Sequence, residues 1–300
     1  MTWTGRRASR SDGRYTGAMG FLGTIGHTFD LMKMSWRVLM KDRELILFPI
    51  FAGIALLIAI GIFAAVASTT GTLDRVDALT ASQSTEEEVQ AVDVVLTLGL
   101  YVTGYFIVIF FNAALIAAAL ERLRGGDPNV GSGLRAASTH LPQILGWALI
   151  AATVGLILQI ARSRTDNFLG RIALSIVGGV WAYMTFFVVP MLVAEGIGPV
   201  TAIKRSGALF RRTWGQQAVS SFGFGLFYIV AGLIAFLPAA ALFAISPIAG
   251  LFLGVLLVGL AFGTVQALEG VFKAALYEHS NGEVPQGFDR ATLSGAYRAL

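Results

Sequence analysis

The sequence predicts an all-α fold: a polytopic transmembrane helical bundle of about six spans, with amphipathic interfacial helices along its cytoplasmic side. Three observations lead there. Long apolar stretches run roughly over 45–67, 94–120, 141–161, 172–194, 217–237 and 248–276. No charged side chain occurs between Arg212 and Glu269, which is room for two crossings. Charged residues make up 13% of the chain, about half the ~25% usual in soluble proteins. About 20 apolar residues in a helix cover the hydrocarbon core. In lipid every backbone amide must be paired within its own segment, so these stretches have to be helices. The mean hydropathy of +0.71 agrees.

The elements follow in order. Residues 1–20 are basic and rich in Gly, Ser and Thr, without an apolar core or a small-residue cleavage site. They are expected to be a disordered tail rather than a signal peptide. Residues 21–295 are expected to form the membrane domain, with 296–300 as a C-terminal tail. Within 21–41, Phe21, Ile25, Phe29, Met32, Trp36 and Leu39 recur at three- and four-residue steps, and Lys33, Arg37 and Lys41 fall on the other side. That pattern suits a helix in the headgroup plane against anionic lipid, or one packed under the bundle. The 68–93 segment is acidic and polar and reads as a solvated loop. Its Glu86–Glu88 run lies just before the second span, where carboxylates favour a helix N-terminus.

Placing the N-terminus in the cytoplasm puts eighteen of the 22 Lys and Arg residues on that side, leaving Arg75, Arg162, Arg164 and Arg171 opposite. The positive-inside rule then predicts an inner (plasma) membrane protein with both termini cytoplasmic. The net charge of +4 is accounted for in the same way, and nucleic acid is not an expected partner.

A repeat is visible at the cytoplasmic turns. Gly125-Gly126-Asp127-Pro128, Gly196-Ile197-Gly198-Pro199 and Gly282-Glu283-Val284-Pro285 each follow a pair of spans. Proline is tolerated in a first helical turn because its missing N–H is unneeded there. Aligning Ser35, Ser138 and Ser206 brings three short amphipathic segments into register, each leading into a helical hairpin.

The stretch from Pro190 to Phe210, with Glu195-Gly-Ile-Gly-Pro199 followed by Ala202-Ile-Lys-Arg205-Ser206, resembles multi-span prokaryotic proteins related to the membrane domain of glycerophosphoryl diester phosphodiesterases. Ser35-Trp36-Arg37-Val38-Leu39, Asp42-Arg43-Glu44-Leu45, Gly104-Tyr105-Phe106 and Ala119-Leu120-Glu121-Arg122-Leu123 point more narrowly, to an uncharacterised six-span family known as a domain of unknown function. The likeness covers about residues 20–295. It implies the fold and the membrane location, and no activity. The phosphodiesterase chemistry belongs to a separate soluble domain that is not in this sequence.

Candidate site residues fall in two groups. Glu195, Lys204, Arg205, Ser206, Arg211 and Arg212 surround the third unit's short helix. Glu195 precedes that helix's N-terminus and can pair with Arg205, as a structural clamp. Alternatively the basic groups hold a lipid phosphate, for which arginine is well shaped. The intramembrane polar residues are Asn112, Gln159, Gln266, Glu269 and Lys273. Glu269 and Lys273 are four apart in the favourable order, and a charge inside a span is a functional candidate. Asn112 and Gln159 are expected to make interhelical hydrogen bonds. Gly259, Gly263, Ala267, Gly270 and Ala274 form a small-residue stripe that permits close helix packing, within the chain or in a homo-oligomer. Pro190 is placed to kink the fourth span.

Enzyme classes find no support. His27, His140 and His279 are isolated, there is no cysteine, and no nucleophile elbow, phosphate loop or metal spacing is present. No metal or cofactor is expected. Two readings remain. One is a non-catalytic membrane protein organising lipid or a partner at the cytoplasmic face. The other is a carrier or channel component for a lipid or amphiphilic solute, which would place polar groups on a cavity.

Overall fold

The structure, a computed structural model, describes residues 32–80, 90–214 and 224–288. Helix α1 (32–41) buries Met32, Met34, Val38 and Leu39 and turns Lys33, Arg37 and Lys41 outward. Trp36, expected on the apolar face, is instead exposed, because the buried stripe runs through Ser35 and Trp36 falls one helical step beyond it. The segment 21–31 lies outside the described residues. A 3₁₀ turn, Arg43–Ile46, leads into α2 (Leu47–Thr69).

The expected solvated loop contains a helix, α3 (Thr72–Thr80). It is held at the start of α4 (Ala91–Leu123) by Asp93, which accepts hydrogen bonds from Arg75 Nη2 (2.5 Å), Thr72 Oγ1 (2.7 Å) and the Gln90 N–H (2.9 Å). Asp93 therefore caps α4 through Gln90. The Glu86–Glu88 run lies outside the described residues.

Helix α5 (Val130–Thr139) is capped by Asn129, whose Oδ1 accepts from the Ser132 N–H. Helix α6 (Leu141–Ser163) carries Pro142 in its first turn. The fourth expected span is two helices, α7 (Phe168–Thr185) and α8 (Val188–Glu195), parted at Phe186 and Phe187. Pro190 supplies no N–H for the Phe186 carbonyl, and its ring would collide with that carbonyl in a continuous helix. The freed, buried Phe187 N–H donates instead to Ser206 Oγ, at 2.9 Å. Helices α9 (Pro199–Trp214), α10 (Phe224–Phe243) and α11 (Pro247–Ser280) complete the chain.

The fold is thus an all-α polytopic helical bundle. Among the described residues, five helical segments are long and apolar enough to cross a membrane: Arg43–Thr69, Ala91–Leu123, Leu141–Ser163, Phe168–Glu195 and Pro247–Ser280. The stretch expected at 217–237 is represented among the described residues by α10, which runs past 237 to Phe243. The helix continues through Pro238 rather than ending there. Residues 215–223 lie outside the described residues.

Each of α1, α5 and α9 precedes a hairpin, and each hairpin's returning helix ends at a left-handed glycine: Gly125 (φ 91°), Gly196 (φ 65°) and Gly282 (φ 91°). The serine register holds for the first and third units, where Ser35 and Ser206 are fully buried, and fails for the second, where Ser138 is exposed. On α5 the core-facing positions are Gly133 and Ala137. A Cβ at Gly133 would meet Phe48 Cζ at 2.6 Å and the Ala114 carbonyl at 2.8 Å, so glycine is what lets α5 lie against α4.

The core is concentrated at the end of the bundle that carries α1, α5 and α9, here called proximal. The last third of α4, the last third of α11, and α8 are packed there. The chain closes on itself at this end, where the Gln286 N–H donates to the Leu123 carbonyl (2.9 Å).

Candidate functional site

Ion pairs stitch the proximal end together. Arg122 is paired with Asp42 and Asp127, and Arg124 with Glu278. Arg124 lies beyond the end of α4, and its hydrogen bond to Glu278 raises its pKa above the usual arginine value. Glu195 accepts both Nη atoms of Arg205 (2.5 and 3.2 Å) and also the Tyr277 hydroxyl (2.7 Å). One carboxylate thereby joins the end of α8 to α9 and α11. Arg205 is committed to this contact. Ser206, on the buried face of α9, serves the helix break.

Lys204 and Arg211 face elsewhere. Both are exposed, and neither pairs with a described carboxylate. With Tyr183, Met184, Gly207 and Ala208 they line a groove of ≈ 670 Å³ between α7 and α9. The six predicted clamp residues are therefore divided. Glu195, Arg205 and Ser206 hold the fold, Lys204 and Arg211 flank a groove, and the side chain of Arg212 is outside the described residues.

On the other side of Tyr183 and Met184 lies a cleft of ≈ 1340 Å³. Its walls are α7 on one side and α4 and α11 on the other, with Phe210 of α9 at one end. Most of its lining is apolar. Polar side chains stand at both ends of it: Asn112, Glu269 and Lys273 toward the proximal end, and Arg171 with Ser175 toward the start of α7. Lys273 Nζ lies 2.7 Å from Glu269 Oε1, while Glu269 Oε2 accepts the Tyr228 hydroxyl at 3.1 Å. The same ammonium sits 5.5 Å from the centre of the Phe186 ring. The structure thus brings together three of the five predicted intramembrane polar residues. Of the other two, Gln266 is half-buried and Gln159 is exposed on α6. The interhelical hydrogen bonds expected of Asn112 and Gln159 are not formed with any described residue. Each faces a space, the cleft for Asn112 and the outer surface for Gln159.

The glycine stripe of α11 is also divided. Gly263 is buried, with Pro49 of α2 at 3.4 Å from a Cβ placed on it, and Gly270 lies against Leu115. Gly259 is exposed with open space around it. Gly263 and Gly270 serve packing within the chain, whereas Gly259 lies open.

Sequence reasoning missed Tyr228, Tyr277 and Tyr183. A signal for the last was present. Asn112, Tyr183 and Glu269 each stand thirteen residues before their unit's left-handed glycine, so the repeat places them at corresponding depths. All three line the cleft.

The fold and this arrangement define a class: an all-α polytopic bundle of three helix-plus-hairpin units with a lateral cleft between the second unit and the other two. The chain belongs to a family of unknown function, DUF6159, whose sequence profile matches residues 91–287, from α4 to the turn after α11. No curated protein matches the chain.

Proposed function

We propose that this is a non-catalytic integral protein of the inner membrane that binds anionic lipid at the cytoplasmic face. The membrane setting is supported by the outer surfaces of the long helices, where Leu57, Ile234, Leu237, Ile248 and Phe252 are all more than half exposed. Such a surface in water would far exceed the apolar patches soluble proteins tolerate. The positive-inside bias puts the proximal end in the cytoplasm. There Trp36, beside Lys33 and Arg37 on the outer face of α1, suits the headgroup layer. The likeness of Pro190–Phe210 to the phosphodiesterase membrane domain supports, within this reading, the fold and setting alone.

The observation that carries the lipid assignment is the α7–α9 groove. Two cations without a described acidic partner stand on its walls, and its floor is apolar, which matches a lipid headgroup with its chain. Each cation near an anionic surface contributes ~1 kcal/mol. Lys204→Ala with Arg211→Ala is therefore expected to weaken retention of phosphatidylglycerol by about 30-fold, read by native mass spectrometry. Arg205→Ala is expected to leave retention in place. Undiminished retention in the double variant would remove the assignment.

The cleft favours the second reading, a carrier or channel component for an amphiphile. Unlike a dry packed bundle, it offers a lipid-sized, mostly apolar space with charged groups toward both ends, larger than the ~300–1,000 Å³ of ordinary small-molecule sites.

A further inference from the structure

We propose that the cleft between α4, α7 and α11 is a binding site for one phosphate-headed lipid, with Lys273 and Asn112 as the headgroup donors. The inference deepens the amphiphile reading and does not depend on the α9 groove. An ammonium carries three N–H donors. One of those on Lys273 goes to Glu269. Both oxygens of Glu269 are occupied, one by Lys273 and the other by Tyr228. Each carboxylate oxygen thus has one acceptor site in use, and Lys273 retains two N–H donors. Asn112 makes no hydrogen bond to a described residue and opens on the same space. The free N–H groups of Lys273 and the Asn112 amide can together hold an oxyanion. Glu269 and Tyr228 hold Lys273 in place; they are positioning residues.

The rest of the lining, mostly apolar with Arg171 and Ser175 among its α7 residues, fits acyl chains. α7 is 18 residues long, about 27 Å at ~1.5 Å per residue, close to the ~30 Å hydrocarbon thickness. None of its residues is buried. Glu269 lies eleven residues before the end of α11, about 16 Å, and Asn112 lies eleven before the end of α4. Tyr183, level with both in the repeat, stands two residues before the end of α7, so the headgroup would sit near the proximal boundary of the layer α7 spans, with its chains along α7.

The test uses the full chain carrying Lys204→Ala and Arg211→Ala, so that the α9 groove does not contribute. The probes are dioleoyl phosphatidic acid and dioleoylglycerol, which share their chains and differ in the phosphate. Native mass spectrometry is expected to show one phosphatidic acid retained per chain at an activation energy that strips dioleoylglycerol. Adding Glu269→Gln with Lys273→Met removes both charges without stranding either, and is expected to lower phosphatidic acid retention roughly tenfold or more. Gly179→Phe fills the middle of the cleft, where an added Cβ meets nothing within 4 Å, so the variant keeps its packing. It is expected to abolish retention. Inorganic phosphate at millimolar concentration is expected not to compete, since it lacks chains. Equal retention of the two lipids would overturn the proposal, as would unchanged phosphatidic acid retention in either cleft variant.

Discussion

The returning helices of the first and third units, α4 and α11, are unbroken over 33 and 34 residues and bury their last thirds. The returning helix of the second unit is broken into α7 and α8, and α7 buries no residue at all. The three elements occupy corresponding places in the repeat. Six residues before the left-handed glycines stand Ala119, Pro190 and Leu276. Ala119 and Leu276 are fully buried helix formers, and Pro190 cannot continue a helix. One residue type at one repeat position separates a packed rod from a hinged pair, and the cleft lies beside the hinged pair.

The sharpest way to break this comparison is Pro190→Ala. Restoring the Phe186 carbonyl's partner should rejoin α7 and α8, gaining up to ~3 kcal/mol of helix propensity and drawing α7 onto α4 and α11. A spin-label pair at Ser175 and Lys273 should then report a shorter distance. No change in distance would mean that contacts other than the proline hold α7 away. The next effect comes from Ser206→Ala, which strands the buried Phe187 N–H and should cost about 1–3 kcal/mol in unfolding free energy. Equal stability would show that another group takes over this amide. Gly270→Ala should cost about 1–3 kcal/mol, because its Cβ would come 2.6 Å from Leu115 Cδ2 in the packed α4–α11 contact. The matching substitution in α7, Gly179→Ala, meets open space and should be neutral or stabilising by up to ~1 kcal/mol. If thermal melts gave Gly179→Ala the larger loss, α7 would be the packed helix and the contrast would be reversed.

The periodicity that marked the helices could also be read for their ends. The three glycine–proline turns located the returns, and the four-residue step from Glu269 to Lys273 located an ion pair that the structure contains. Trp36 was misplaced because amphipathic spacing leaves an uncertainty of one helical step, and whether Ser35 or Trp36 faces inward depends on what α1 packs against. Tyr228 was not legible. Nothing local distinguishes a tyrosine that meets a carboxylate 41 residues away from one that meets lipid. The division of the basic cluster was likewise hidden, since adjacent Lys204 and Arg205 look alike in sequence and point to opposite duties.

From sequence alone come the helical class, the approximate ends of the rods, the glycine–proline repeat and a kink at Pro190. All of these rest on near-neighbour physics: backbone pairing, hydrophobic run length and proline sterics. The tertiary structure decided which polar groups meet, which cation is consumed by Glu195 and which remains available, and where a lipid-sized space is left between rods. Those outcomes depend on how helices distant in sequence lean on one another, and a 3.6-residue period carries no information about the partner across the gap.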